Sequence, residues 1–204
     1  MMHAIDNISK MPDSEKLRSR FQSLAMLDSI LMPDWELRYF SFNASWGIDE
    51  MMASMRNGEG DELFFLFSKC GVVGKIFCSE LHAKTPSSQI LEKVPSHFKS
   101  FLGEAAFRLN AISCCLWQLA SHSTWEVYPD NNDSIPLLGF VQDEGEYYRK
   151  WAEQYYERII PASIVGMIFN HEPLTDKMLS DLPEKRGVKD LISDAREIGY
   201  PCQE

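Results

Sequence analysis

Between Trp35 and Cys78 lie four short runs, three of them rich in aromatic or β-branched residues, joined by connections only a few residues long. Parallel neighbours need a crossover of about a dozen residues or more, so runs joined this closely pair antiparallel. Trp35-Glu-Leu-Arg-Tyr-Phe-Ser-Phe42 alternates Trp35, Leu37 and Tyr39 against Glu36 and Arg38 before both faces turn apolar. Glu50 to Met55 is the second run. Asn57-Gly-Glu-Gly60 follows, and Asn-Gly supplies the positive φ of a tight hairpin. Leu63-Phe-Phe-Leu-Phe67, a turn at Cys70-Gly71 and Val72 to Cys78 complete the set. The pattern predicts an antiparallel meander over about 35–42, 50–56, 62–68 and 72–78.

Helical spacing surrounds this block. Residues 1–12 read as a loose leader ending at Pro12. Leu17, Phe21, Leu24, Leu27 and Leu31 then recur at three and four, predicting an amphipathic helix over about 14–31, capped by Ser14 and stopped before Pro33. Ser96 is placed to cap a short helix bearing Phe98, Phe101 and Leu102. Ile112 to Gln118 has strand character, and 130–134 is loop. Asp143 and Glu146 stand at capping-box spacing ahead of Tyr148, Trp151, Tyr155 and Ile159 on one predicted face. A further helix fits about 162–170. Another opens at Thr175, and the last carries Leu191, Ile192, Ala195 and Ile198 up to Gly199. Strands early and helices late predict an α+β fold, a single domain over 1–204 with the helical part at about 143–199 packed on the sheet.

The formal net charge is −10, shared unevenly: residues 1–100 hold 11 basic and 13 acidic side chains, residues 101–204 hold 9 and 17. Phosphate backbones and anionic lipid surfaces need Lys and Arg, so nucleic acid and membrane are not expected partners. A basic protein partner is compatible with this charge, though the charge does not imply one. The five cysteines show no CxxC pair, and Met1 to Met11 has no secretory pattern. The expected location is cytoplasmic.

No motif announces chemistry. The five histidines are scattered without metal-ligand spacing, and the glycine pairs do not form a phosphate-binding loop, so no cofactor is expected. Asn57, Glu59 and Asp61 are spaced like the opening of a calcium loop, but Glu62 stands where that loop needs Gly and Ser68 where it needs Glu; a hairpin turn is the reading. Cys114 and Cys115 sit in a predicted strand, so their side chains should face opposite sides as small buried hydrophobes.

The stretch Tyr39-Phe-Ser-Phe-Asn-Ala-Ser-Trp46, with Met52 to Glu62, Phe65-Leu-Phe67, Trp151 to Glu157 and Glu197-Ile-Gly-Tyr-Pro201, resembles a family of uncharacterised bacterial proteins. The resemblance implies a bacterial cytosolic protein with no assigned activity and carries over no functional residue. Val94-Pro-Ser-His-Phe-Lys-Ser-Phe-Leu102 is similar to the opening motif of SUKH-type immunity proteins.

Three functions compete at this level. The first is a non-enzymatic protein, immunity-like in one version, that binds a macromolecular partner through its acidic, aromatic C-terminal half. Segment 126–157 carries eight acids against two bases, and Tyr147 and Tyr156 lie off the predicted apolar stripe. Tyr147, Tyr156, Glu144 and Glu153 are therefore the candidate partner-binding residues. The second is an enzyme or small-ligand binder with a pocket between sheet and C-terminal helices, its candidates being Arg38, Trp46, Glu50, Arg56 and Asp61. The third is a structural or dimerising module, so the chain is expected as monomer or homodimer.

Overall fold

A computed structural model describes residues 8–79, 85–130, 135–182 and 186–203. Its centre is a six-stranded antiparallel sheet in sequence order: β1 Phe40–Gly47, β2 Glu50–Arg56, β3 Glu62–Ser68, β4 Gly71–Phe77, β5 Cys114–Leu119 and β6 Glu126–Tyr128. The meander expected from the sequence thus extends by two strands. The candidate strand near 112–118 is β5, hydrogen-bonded to β4.

Both faces of this sheet are covered, which explains why β3 and β4 are apolar at nearly every position. Leu63, Phe65 and Phe67 point to one face, with Phe40, Phe42, Met55, Val72 and Leu116. There they meet α1 (Ser14–Leu31), α4 (Gly139–Gln142), α5 (Glu146–Tyr155), α6 (Ala162–Phe169), α7 (Asp176–Leu179) and α8 (Val188–Ile198). Phe64, Leu66, Val73 and Trp117 point to the other face. A thin layer covers them: α2 (Ser87–Leu91), α3 (Lys99–Gly103) and the turns around them, through Ile90, Val94, Phe98, Phe101 and Phe107. Within 80–111 the sequence suggests only the short helix bearing Phe98, Phe101 and Leu102; much of the described part of that stretch forms this second layer.

Helix α1 is central, not peripheral. From Arg20 to Leu31 every residue is buried, polar ones included, because the sheet lies on one side and α6 and α8 on another. Its cap is Asp13, whose carboxylate accepts from the Lys16 N–H at 2.8 Å; Ser14 is already helical.

Other departures have local causes. Trp35–Leu37 is a 3-10 turn capped by Asp34, and the strand begins only at Phe40, so the Trp35–Leu37 alternation was not a strand signal. At α5 the N-cap is Gly145. Asp143 accepts from the Tyr147 N–H at 2.7 Å, while Glu146 turns to Arg149, so no capping box forms there. Ser96 makes no side-chain cap; it sits in a 3-10 turn after Pro95. Of the expected leader, Met11 is buried in the main core and the Pro12 carbonyl accepts from Trp125 Nε1 at 2.8 Å. Residues 1–7, and most of the expected 130–134 loop, lie outside the described residues.

Gly71 starts β4 at φ +129°, and a Cβ there would lie 2.1 Å from the Gln118 carbonyl oxygen on β5. Positive φ and a backbone clash act together, so Gly71→Ala should lose about 3 kcal/mol in urea unfolding. An unchanged midpoint would show that β4 and β5 separate there at little cost.

Candidate functional site

The five residues expected to share a pocket do not meet. Glu50 opens β2 and Arg56 closes it, opposite ends of a strand roughly 20 Å long. Arg38 is a strut. Its guanidinium grips both carboxylate oxygens of Asp194 on α8, at 2.8 and 3.1 Å, and donates to the Met32 carbonyl at 2.9 Å. Trp46 stacks on Phe107 at 6.2 Å, and Arg56 lies over the Phe64 ring at 5.7 Å. Asp61 accepts from the Ser79 N–H and hydroxyl at 2.7 and 2.8 Å. Asn57 Oδ1 accepts from the N–H groups of Glu59 and Asp61, both at 2.9 Å, so the 57–61 segment is a hairpin turn held by its own asparagine. Among the described residues no group of three His, Cys, Asp or Glu side chains is arranged to hold a metal.

Sequence reasoning missed the most perturbed groups, which are buried. Asp28 of α1 is wholly enclosed. Its Oδ2 accepts from the N–H groups of Tyr39 and Phe40 at 2.7 and 2.8 Å, and its Oδ1 from the Tyr148 hydroxyl at 2.6 Å. Burial pushes its carboxyl up to about 6, with the Tyr148 bond and the two N–H bonds pulling the other way. The Tyr156 hydroxyl faces the same carboxylate and also pulls its pKa down. On the other face of the sheet, Lys75 donates to Glu62 at 2.5 Å and to the Ala111 carbonyl at 3.0 Å, both side chains buried. Cys114 and Cys115 point to opposite faces, as expected. Burial pushes the Cys114 thiol up to about 12 and the Cys115 thiol higher still, so neither is a ready thiolate.

The expected partner-binding residues are largely engaged within the chain. Glu144 pairs with Lys16 at 2.7 Å and with Arg20 at 2.8 Å. Glu153 pairs with Arg149 at 2.7 Å and accepts from the Ile160 N–H at 3.0 Å. Tyr147 is half-buried, edge-on to Phe140 at 4.8 Å. Tyr156 is buried, opposite to its expected direction. The reason is that Tyr156 keeps helical dihedrals and its N–H bonds to the Ala152 carbonyl at 2.8 Å, so it continues the buried stripe that Tyr148 and Ala152 form at i and i+4.

Other large apolar residues near this end of α5 face the surface. Tyr155 is 49% exposed and Ile159 85%, and on the neighbouring connector between α1 and β1 Trp35 is 53% and Leu37 56% exposed. The two segments are tied together. Arg158 donates to the Leu31 carbonyl at 3.0 Å, and Tyr155 meets Tyr39 at 5.9 Å between ring centres. Exposed Asp34, Glu36 and Glu157 flank these apolar side chains, and none has an ion-pair partner among the described residues. The arrangement is a set of apolar anchors bordered by negative charge.

No family model, curated protein or solved structure matches this chain.

Proposed function

We propose that this is a non-catalytic binding protein of the bacterial cytoplasm that holds a basic macromolecular partner on the surface formed by Trp35, Leu37, Tyr155 and Ile159. The observation that carries the reading is the exposure of these four large apolar side chains on two adjoining segments. Large aromatics and aliphatics left in water have the features of interface anchors. The unpaired carboxylates beside them favour a partner with complementary Lys and Arg, and steer its approach. An inhibitor of a basic toxin, in the manner of immunity proteins, is one concrete form.

The test is affinity capture by wild type and by an L37S/I159S double variant, followed by rebinding of the purified captured protein. The expected result is an identified basic protein that rebinds the wild type, binds the variant at least about tenfold more weakly, and weakens as salt rises. A partner that binds both forms equally defeats the proposal. So does a wild type that captures nothing and sediments as a dimer where the variant is monomeric: the surface would then join two copies of this chain.

A further inference from the structure

We propose that the cleft between the first turns of α1 and the hairpin end of the sheet binds a small zwitterion with an apolar body, an amino acid or short peptide. Ser14, Glu15 and Arg18 of α1 line it on one side, and the ends of β1 to β4 near the β1–β2 and β3–β4 turns on the other. The opening is about 590 Å³, within the roughly 300–1,000 Å³ of small-molecule sites. Ala44, Met51, Phe67 and Val72, from four strands, give it an apolar floor. That surface suits an aliphatic or aromatic side chain and no charged one.

The charged lining gives the ligand its class. Arg18 and Glu50 both face the cleft and both are half-buried. Arg18 makes no hydrogen bond or ion pair among the described residues, although Glu15, Asp49 and Glu50 line the same space. Asp49 is taken by Lys69 at 2.8 Å, whereas Glu50 has no cation. Its carboxylate lies over the strand partner's backbone: Gly47 pairs with Glu50 across the β1–β2 turn, and a Cβ on Gly47 would lie 2.9 Å from Glu50 Oε2. The bare glycine lets the acid fold over the strand.

A guanidinium and a carboxylate thus share one cleft without reaching each other. A ligand that covers the cleft strips water from both, and that is favourable only if both are paired. An α-carboxylate matches the planar fork of Arg18, and an α-ammonium matches Glu50. A ligand with a single charge leaves one of the two without a partner. The cleft shares no lining residue with the surface of the preceding section, so the two readings stand or fall separately.

Calorimetric titration of the full chain with leucine, leucyl-leucine, N-acetylleucine and leucinamide tests this. Leucine or its dipeptide should bind, and removal of either ligand charge should weaken binding about tenfold or more. Arg18→Ala should weaken every carboxylate-bearing probe by a similar factor. Glu50→Gln should erase the preference for leucine over N-acetylleucine. The analogue series needs no variant, so a misfolded substitution cannot mask the answer. Equal binding of leucine and N-acetylleucine to the wild type overturns the proposal. So does the absence of binding by any probe up to about 10 mM, or affinities that Arg18→Ala and Glu50→Gln leave unchanged.

Discussion

Asp28→Ala is expected to lower unfolding free energy at pH 7 by about 3 kcal/mol, and the deficit should deepen as the pH falls toward 4. Removal of the carboxylate orphans the buried Tyr39 and Phe40 N–H groups and the Tyr148 hydroxyl. Each unsatisfied donor costs about 1–3 kcal/mol. Against this stands relief from an ionised carboxylate in an apolar place. Its pKa rises from 3.8 to about 6 on folding, a difference worth about 3 kcal/mol. Three orphaned donors outweigh that relief.

The direction with pH follows from which state holds the proton. Folded Asp28 titrates near 6 and unfolded Asp near 3.8, so the native chain binds the proton more tightly in between. This group's contribution is therefore greatest below about pH 4, falls as pH rises through 6, and is flat above. The alanine variant lacks it, so the gap between the two proteins widens on acidification. Asp28→Asn keeps an oxygen for the two N–H groups and an amide for Tyr148, and should flatten the pH dependence with a smaller loss. Urea unfolding of all three proteins from pH 4 to 7.5 checks this. Parallel profiles for wild type and Asp28→Ala would mean that folding does not raise the carboxyl's pKa.

Lys75→Met is expected to cost about 3 kcal/mol, and Lys75→Met with Glu62→Leu to recover most of it. Lys75 ties β4 to β3 through Glu62, and to the second layer through the carbonyls of Ala111 and, at 3.4 Å, Arg108. Burial pushes its ammonium below the usual lysine value, while the bond to Glu62 opposes this. With Lys75 gone, Glu62 keeps only the exposed Arg108 guanidinium at 3.4 Å. A buried carboxylate with one solvated partner is poorly compensated, whereas two apolar residues need no compensation. Denaturant midpoints of the single and double variants decide the matter. A single variant as stable as the wild type would show that the pair contributes nothing.

The two networks also show where sequence reading stops. Lys75 sits between Val73 and Ile76 in a strand buried on both faces, and Asp28 sits among Leu24, Met26, Leu27 and Ile30. Both break the apolar pattern, which is the signal they offered. Their partners were not legible: Tyr148 lies 120 residues beyond Asp28, and the 108–111 carbonyls come from a stretch with no clear period. The pocket expected around Arg38, Trp46, Glu50, Arg56 and Asp61 came from closeness in the chain. A strand carries its two ends far apart, so such closeness gave no convergence. For the partner surface, the predicted stripe through Tyr148, Trp151, Tyr155 and Ile159 left Tyr156 outside, whereas the buried stripe runs through Tyr148 and Ala152 to Tyr156.

What the sequence determined by itself was local: four strands in a meander, the long helix before Pro33, Thr175 as a cap and Gly199 as a stop. Each rests on period or on backbone dihedrals, which neighbours within a few residues set. Tertiary structure alone decided that the sheet is covered on both faces, that Asp28 and Lys75 are enclosed with their partners, and that Tyr155 and Ile159 face water. Burial and charge pairing are relations between distant segments, and no local pattern encodes which segments meet.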